Sequence, residues 1–176
     1  MLGIFTIVKN QTDRDSVIQI INSVASERCY LQTDRYQPSP YWEALLNKGS
    51  HARSGLLLNV VKYNNNVVGF GRLFPDDRWG RTTGNIGIVL LPPYRSKGIG
   101  TKLLNLLVVI SPYFGFQWLT ADILGTNLHS LQLFQNIGFV KSYKHLIELP
   151  HLRGPVEEIV LIRNVFGRTN ARIPDF

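Results

Sequence analysis

Residues 89–104, VLLPPYRSKGIGTKLL, restrict the fold more than any other part of the chain. An apolar, strand-like run stops at Pro92 and Pro93, which lack the amide hydrogen that a strand ladder needs. A basic, glycine-bearing bend follows, after which Ile99, Leu103, Leu106, Leu107 and Ile110 recur at helical spacing until Ser111-Pro112 ends the pattern. Gly98 and Gly100, in an R-x-x-G-x-G string, let successive backbone N–H groups turn inward at a helix N-terminus. That is an anion cradle suited to a pyrophosphate. It is not the P-loop, whose Lys-Ser/Thr pair is missing, nor the Rossmann G-x-G-x-x-G. A glycine turn by itself also serves as a plain strand-to-helix connection.

The rest of the chain supplies more strands and helices around this unit. FTIVKN reads as a first strand, and TDRDSVIQIINSVASERCY as a helix with Thr12 as its N-cap and Val17, Ile20, Ile21 and Val24 on one face. Ser39, Pro40 and Gly49 punctuate a second helix as cap, first position and terminator. GLLLNVVKYNNNVVGFGRLF reads as a hairpin turning at Asn64, Asn65 and Asn66, with Gly69 and Gly71 marking a bulge or close packing. NIGIVLL and FQWLTADIL are further strands; in the latter Leu119, Ala121 and Ile123 alternate with Thr120 and Asp122. Asn127 caps a short helix closed by Gly138, and FVKSYKHLIEL and EEIVLIRNV finish as strands. The expected fold is α/β (α+β), a mixed sheet flanked by helices, formed by residues 1–176 as a single domain.

Composition narrows the function classes. With 44% hydrophobic residues the chain can bury a core, yet no apolar stretch approaches the roughly 20 residues of a membrane span. The N-terminus has no basic leader with a cleavage site, and Cys29 is the single cysteine. Both point to a reducing, cytoplasmic setting. The net charge of +7 suits an anionic ligand. Its Lys and Arg are scattered, with no run of five or six, which argues against a nucleic-acid-binding surface. His51, His129, His145 and His151 show no metal or triad spacing, so no metal is expected.

Residues 86–139, containing VLLPPYRSKGIGTKLL and then NLHSLQLFQNIGF, resemble the GCN5-related N-acetyltransferase (GNAT) family in its acyl-CoA-binding core. Arg95, Gly98 and Gly100 match its first motif, and Asn127, Ser130, Phe134, Gly138 and Phe139 its second. The resemblance implies a mainly antiparallel central sheet that splays at the acyl-CoA site. It implies that the backbone amides of Arg95, Ser96, Lys97, Gly98, Ile99, Gly100 and Thr101 hold the CoA pyrophosphate, with Arg95 and Lys97 adding charge. Leu90 and Leu91 would lie along the pantetheine arm, with the Leu90 N–H as oxyanion donor. Asn127 and Ser130 would approach the cofactor or simply cap their helix.

The implied function is transfer of an acetyl group from acetyl-CoA to a primary amine, on a small molecule or a protein, by direct attack in a ternary complex. Asp122 is the candidate base, at the position where ribosomal-protein N-terminal acetyltransferases carry a catalytic Glu. It reads equally as a solvent-facing carboxylate. Family members frequently place an acidic Tyr five residues before the Phe of Gly-Phe, where this chain has Phe134. Three possibilities follow: the thiolate leaves unaided or takes a proton from water, Tyr143 acts, or the domain binds acyl-CoA with little turnover. Asp76 and Asp77 read as a solubilising turn or as amine recognition. The amine acceptor, the acyl chain preference and the choice between monomer and homodimer stay open.

Overall fold

The computed structural model describes residues 2–6 and 11–167. Seven strands form one sheet in the order β1-β2-β3-β4-β5-β7-β6. They are β1 (Leu2–Thr6), β2 (Leu57–Tyr63), β3 (Asn66–Pro75), β4 (Thr83–Leu90), β5 (Trp118–Leu124), β6 (Val140–Ile147) and β7 (Val156–Asn164). Every pairing is antiparallel except β4 with β5. The mixed, mainly antiparallel sheet expected from the sequence is therefore present.

Helices α1 (Gln11–Ala25) and α2 (Pro40–Lys48) cover one face, packing Val17, Ile20, Ile21, Val24 and Leu45 against Leu58, Val60 and Phe70. Helices α3 (Ile99–Ile110) and α4 (Leu128–Asn136) cover the other, with Leu104, Leu107, Leu131 and Phe134 against Leu73, Ile86, Leu119 and Ala121. Burial of this kind is worth about 1.5–3 kcal/mol per large side chain, which is why strand alternation fixes which residues meet which helices.

Local punctuation works as the sequence indicates. Ser39 Oγ accepts from the Trp42 amide at 3.2 Å, Pro40 opens α2, and Gly49, at φ 77°, closes it by donating to the Leu45 carbonyl. Asn64 and Asn65 both take positive φ, 47° and 65°, as a two-residue hairpin turn requires. The bulge falls where the β2–β3 register slips between Val61 and Lys62. Gly69 sits beside it in close packing: a Cβ there would lie 2.6 Å from the Val89 carbonyl oxygen.

Three expectations are corrected. The first strand is Leu2–Thr6, earlier than FTIVKN, and residues 7–10 lie outside the described residues. Thr12 is inside α1 rather than its cap; its carbonyl accepts from Ser16 Oγ at 2.7 Å. Helix α1 stops at Ala25 instead of running to Tyr30, because the apolar stripe ends there and Arg28 turns into the left-handed region at φ 56°. The released segment, residues 26–39, becomes a loop over the site.

Candidate active site

Strands β4 and β5 pair only at Thr83 with Trp118, Gly84 with Leu119 and Asn85 with Thr120. Beyond that point β4 continues to Leu90 and β5 to Leu124 without bonding each other. Both stay pinned on their outer sides, β4 to β3 and β5 to β7. The sheet is thus split from Ile86 onward. The Leu91 amide donates to the Val68 carbonyl of β3 at 3.0 Å. By strand alternation the amides of Ile88 and Leu90 face the opposite edge, into the split.

The split leads to the N-terminus of α3. Ser96 and Gly98 adopt left-handed conformations, φ 57° and 73°, which curl the loop before the helix. The first bond of α3 runs from the Lys102 amide to the Gly98 carbonyl at 3.1 Å, so the amides of Ile99, Gly100 and Thr101 have no acceptor within the helix. They add to the helix dipole at the place where an anion binds most favourably. Gly100 keeps this approach slim, with Ile88 and Leu133 side-chain carbons 3.3–3.4 Å from where its Cβ would stand.

A cavity of about 990 Å³ joins the cradle and the split. Of the residues singled out in the sequence, Leu90, Arg95, Ser96, Gly98, Gly100, Thr101, Asp122, Asn127, Ser130 and Phe134 line it; Leu91, Lys97 and Ile99 do not. Ile99 is buried against Val61, Val68 and Leu103. Only its amide faces the cradle. Leu91 has its amide engaged by Val68 and its side chain packed on the α1–α2 side. Asn127 Oδ1 accepts from the Ser130 amide at 3.1 Å, a working N-cap at the cavity wall.

Arg95 has its side chain held by protein groups on the cavity wall. Its amide donates to the Pro92 carbonyl, and its guanidinium clamps Glu27 while standing 4.6 Å over the Tyr30 ring. The Glu27 carboxylate raises the Arg95 pKa further. Arg95 therefore fastens loop 26–39 to the cradle.

The deeper end of the cavity is polar at its floor. Asp122 Oδ1 and Oδ2 accept from Arg78 Nη2 at 3.0 and 2.7 Å, and Oδ2 accepts from Asn85 Nδ2 at 2.8 Å. Arg78 also grips Asp76 through Nε and Nη2, both at 2.9 Å, and Thr120 Oγ1 donates to the same carboxylate. Burial alone would push the Asp76 carboxyl up, but the bonds from Arg78 and Thr120 hold it below the usual range. Asp77 accepts from Tyr41 Oη at 2.6 Å. The Asp76-Asp77 pair is thus structural. Tyr36, lining the cavity, has its hydroxyl pushed up to about 12 by burial and by Glu43, to which it donates at 3.0 Å.

Phe134 is 3% exposed and meets Phe139 edge-on at 5.0 Å, so it is a wall and part of the core at once. Tyr143 stacks on His145 and lies outside the cavity lining. Among the described residues no cluster of three or more His, Cys, Asp or Glu is arranged to hold a metal.

Sequence reasoning missed Ile88, Asn85, Arg72 and the Glu27 partner of Arg95. Arg72 carries a readable signal, being a polar residue between Phe70 and Phe74 on one face of β3, whereas Asn85 follows Thr83 on its face of β4 and does not stand out. Glu27 carries none, being 68 positions from Arg95.

A model of the acetyltransferase (GNAT) family matches residues 20–139. The chain belongs to the GNAT acetyltransferase family. It is 29% identical over 133 residues to a Bacillus subtilis (strain 168) protein named "Putative phosphinothricin acetyltransferase YwnH", an alignment covering 73% of this chain and 79% of that one. Its fold is similar to the GNAT superfamily phosphinothricin acetyltransferase from Sinorhizobium meliloti solved in complex with AcCoA (TM-score 0.77, 21% identity, 93% of this chain and 88% of that one). It is also similar to the ribosomal-protein-alanine N-acetyltransferase from Brucella melitensis (TM-score 0.78, 17% identity, 92% and 99%). Family membership makes the chain an acetyl-CoA-dependent N-acetyltransferase by class. No helix among the described residues is long and apolar enough to cross a membrane.

Proposed function

We propose that this GNAT domain, residues 1–176 taken as one unit, transfers the acetyl group of acetyl-CoA to a primary amine by direct attack in a ternary complex. The observation that carries the reading is the parting of β4 from β5 after Asn85 and Thr120, opening straight onto the amides of Ile99, Gly100 and Thr101. The residues present fit the cosubstrate. The cradle takes the pyrophosphate, and the inward amides of Ile88 and Leu90 offer donors to the pantetheine arm and the thioester carbonyl. The single cysteine and this cosubstrate suit a cytoplasmic enzyme.

Acetyl-CoA, when bound, supplies an activated acyl carbon. The chain's part is to hold the arm straight in the split, to donate the Leu90 N–H to the carbonyl oxygen as charge gathers there, and to take the proton that the amine loses. Asp122 serves that last role through a water, since it faces the cavity from the β5 side of the split. Phe134 has no proton to donate, so the thiolate, the anion of a thiol with pKa about 8.5, leaves as such or is protonated by water. Two of the similar proteins carry phosphinothricin in their names, which puts this small amino acid analogue in the first acceptor panel.

A second reading, an acyl-CoA-binding domain of weak turnover, is favoured by Phe134 alone. One experiment tests both. Purified protein titrated calorimetrically with acetyl-CoA is expected to bind one equivalent, with binding abolished in Gly98→Glu, and then to release CoA thiol when amines are supplied. Binding without turnover of any amine selects the second reading, and no binding ends both.

A further inference from the structure

Arg72 lies on β3 opposite Gly87 of β4, with its side chain on the α1–α2 face of the sheet, where Phe70 and Phe74 also point. It lines the cavity beside Asp122, Gln32, Tyr36 and Trp42. Its guanidinium lies against the backbone of Gly87: a Cβ there would stand 3.3 Å from both Cζ and Nε. Phe74 backs it from below, 4.7 Å from Cζ to ring centroid. Nη1 donates to Asn85 Oδ1 at 2.7 Å and to the Asn85 carbonyl at 3.2 Å.

What this arginine lacks is a contact ion pair of its own, although Arg72 and Arg78 together balance Asp76 and Asp122 in charge. No carboxylate among the described residues reaches salt-bridge distance of it. The two acids whose fields act on it, Asp122 and Asp76, are both occupied by Arg78. Burial correspondingly pushes the guanidinium down to about 10, against the pull of those acids. A half-buried guanidinium at the cavity wall with no carboxylate in contact is open to an anionic ligand, and it presents a planar fork matched to a carboxylate.

We propose that Arg72 is the receptor for an acidic group on the amine substrate, so that the acceptor is an amino acid or a close analogue rather than a neutral amine. This rests on the N-acetyltransferase reading and adds the chemistry of the acceptor. Gly87 precedes Leu90 by three residues, roughly 10 Å along a strand. An acid held at Arg72 therefore leaves its own amine pointing back toward the oxyanion amides, with Asp122 alongside. Tyr36, Trp42 and Phe70 form the wall that its side chain meets, which favours apolar and aromatic amino acids.

Steady-state acetylation of matched pairs, each L-amino acid against its own amide, with phosphinothricin included, tests this on wild type, Arg72→Gln and Arg72→Lys. Acetyl-CoA affinity of each variant is measured first, as proof of a folded cradle. Wild type is expected to favour the acid. Arg72→Gln is expected to lower kcat/KM for the acid by about 100-fold while leaving the amide within about threefold, and Arg72→Lys to fall between. If Arg72 only braces Asn85 and Asp122, Arg72→Gln slows acid and amide alike, and the proposal is wrong. It is equally wrong if wild type takes amides as readily as acids. Should no amine turn over, equal binding of N-acetyl-L-phenylalanine and N-acetyl-L-phenylalaninamide to the CoA-loaded protein overturns it. Failure of wild type to bind acetyl-CoA overturns the acetyltransferase reading itself, and is distinguishable from all of these.

Discussion

The guanidinium of Arg95 meets both carboxylate oxygens of Glu27, Nη1 to Oε2 at 2.8 Å and Nη2 to Oε1 at 2.6 Å, while its Nε donates to the Leu90 carbonyl at 2.9 Å. Three pieces of chain meet there: the loop after α1, the end of β4 and the turn into α3. Both partners are mostly covered, at 23% and 28% side-chain exposure, so the fork-to-fork geometry outlasts added salt better than a surface pair does.

Glu27→Gln is expected to cost about 1 kcal/mol of stability, since the pair is still partly wet. It should raise the KM for acetyl-CoA and for the amine together, because loop 26–39 roofs both. Arg95→Ala should do the same, and the double variant should be no worse than Arg95→Ala alone. A double-mutant cycle read in KM and urea midpoint checks this; full additivity would show that the clamp is not what holds the roof.

Gly98 has open space where a Cβ would be, but its φ of 73° disfavours any side chain. Gly98→Ala should therefore destabilise the protein by about 1 kcal/mol through backbone strain alone. Acetyl-CoA binding should weaken by more than the stability loss explains, because the loop that sets the Ile99, Gly100 and Thr101 amides relaxes. Calorimetry beside urea unfolding separates the two effects.

Asp122→Asn keeps the size of the side chain and one acceptor for Arg78 and Asn85, while removing the charge and the proton acceptor. The expected result is a fall in kcat of roughly 100-fold with acetyl-CoA affinity unchanged. A kcat within twofold of wild type across the pH range would leave Asp122 as a brace for Arg78.

Asp76 and Glu158 give opposite pH signatures. The Asp76 carboxyl is held below its ordinary 3.8, so its contribution is complete above that value and is lost as pH falls through the folded-state pKa. Glu158 is pushed above its ordinary 4.5, chiefly by burial and then by Asp122, so the folded state is favoured below that value and loses stability as pH rises through the folded-state pKa. Urea midpoints followed from about pH 2 to pH 7 should lose their acid limb in Asp76→Asn and their opposite slope in Glu158→Gln.

Phe134→Tyr would place a hydroxyl at the cavity wall. If the thiolate departs without a protein acid, kcat should stay within about threefold of wild type near neutral pH. A large gain would mean that leaving-group protonation limits the present enzyme.

What the sequence made legible was local. The Ser39 cap, the Asn64-Asn65 turn, the Pro92-Pro93 stop and the glycines of the cradle act within a few residues of themselves, and each appears where it was read. Thr12 misled because a capping pattern is only a preference, and the helix starts one residue earlier. The split in the sheet was reached through family resemblance, since strand periodicity says nothing about a partner. Arg72, Asn85, Arg78 and Glu27 depend on contacts between distant segments. Only the fold sets Arg72 in the cavity wall and the other three behind the residues that line it.

The parting of β4 from β5 has a thermodynamic corollary. A strand edge whose N–H groups look into a wet crevice is an unfinished ladder, and an extended pantetheine amide is a surrogate strand of the right width to finish it. Occupancy and folding then become linked quantities: a hundredfold excess of acetyl-CoA over its Kd adds about 2.7 kcal/mol to the native state. Hydrogen exchange at the Ile88 and Leu90 amides should be fast in the empty protein and slow in the loaded one, while Gly87 and Val89, bonded to β3, stay protected in both, so the cosubstrate is also the last piece of the sheet.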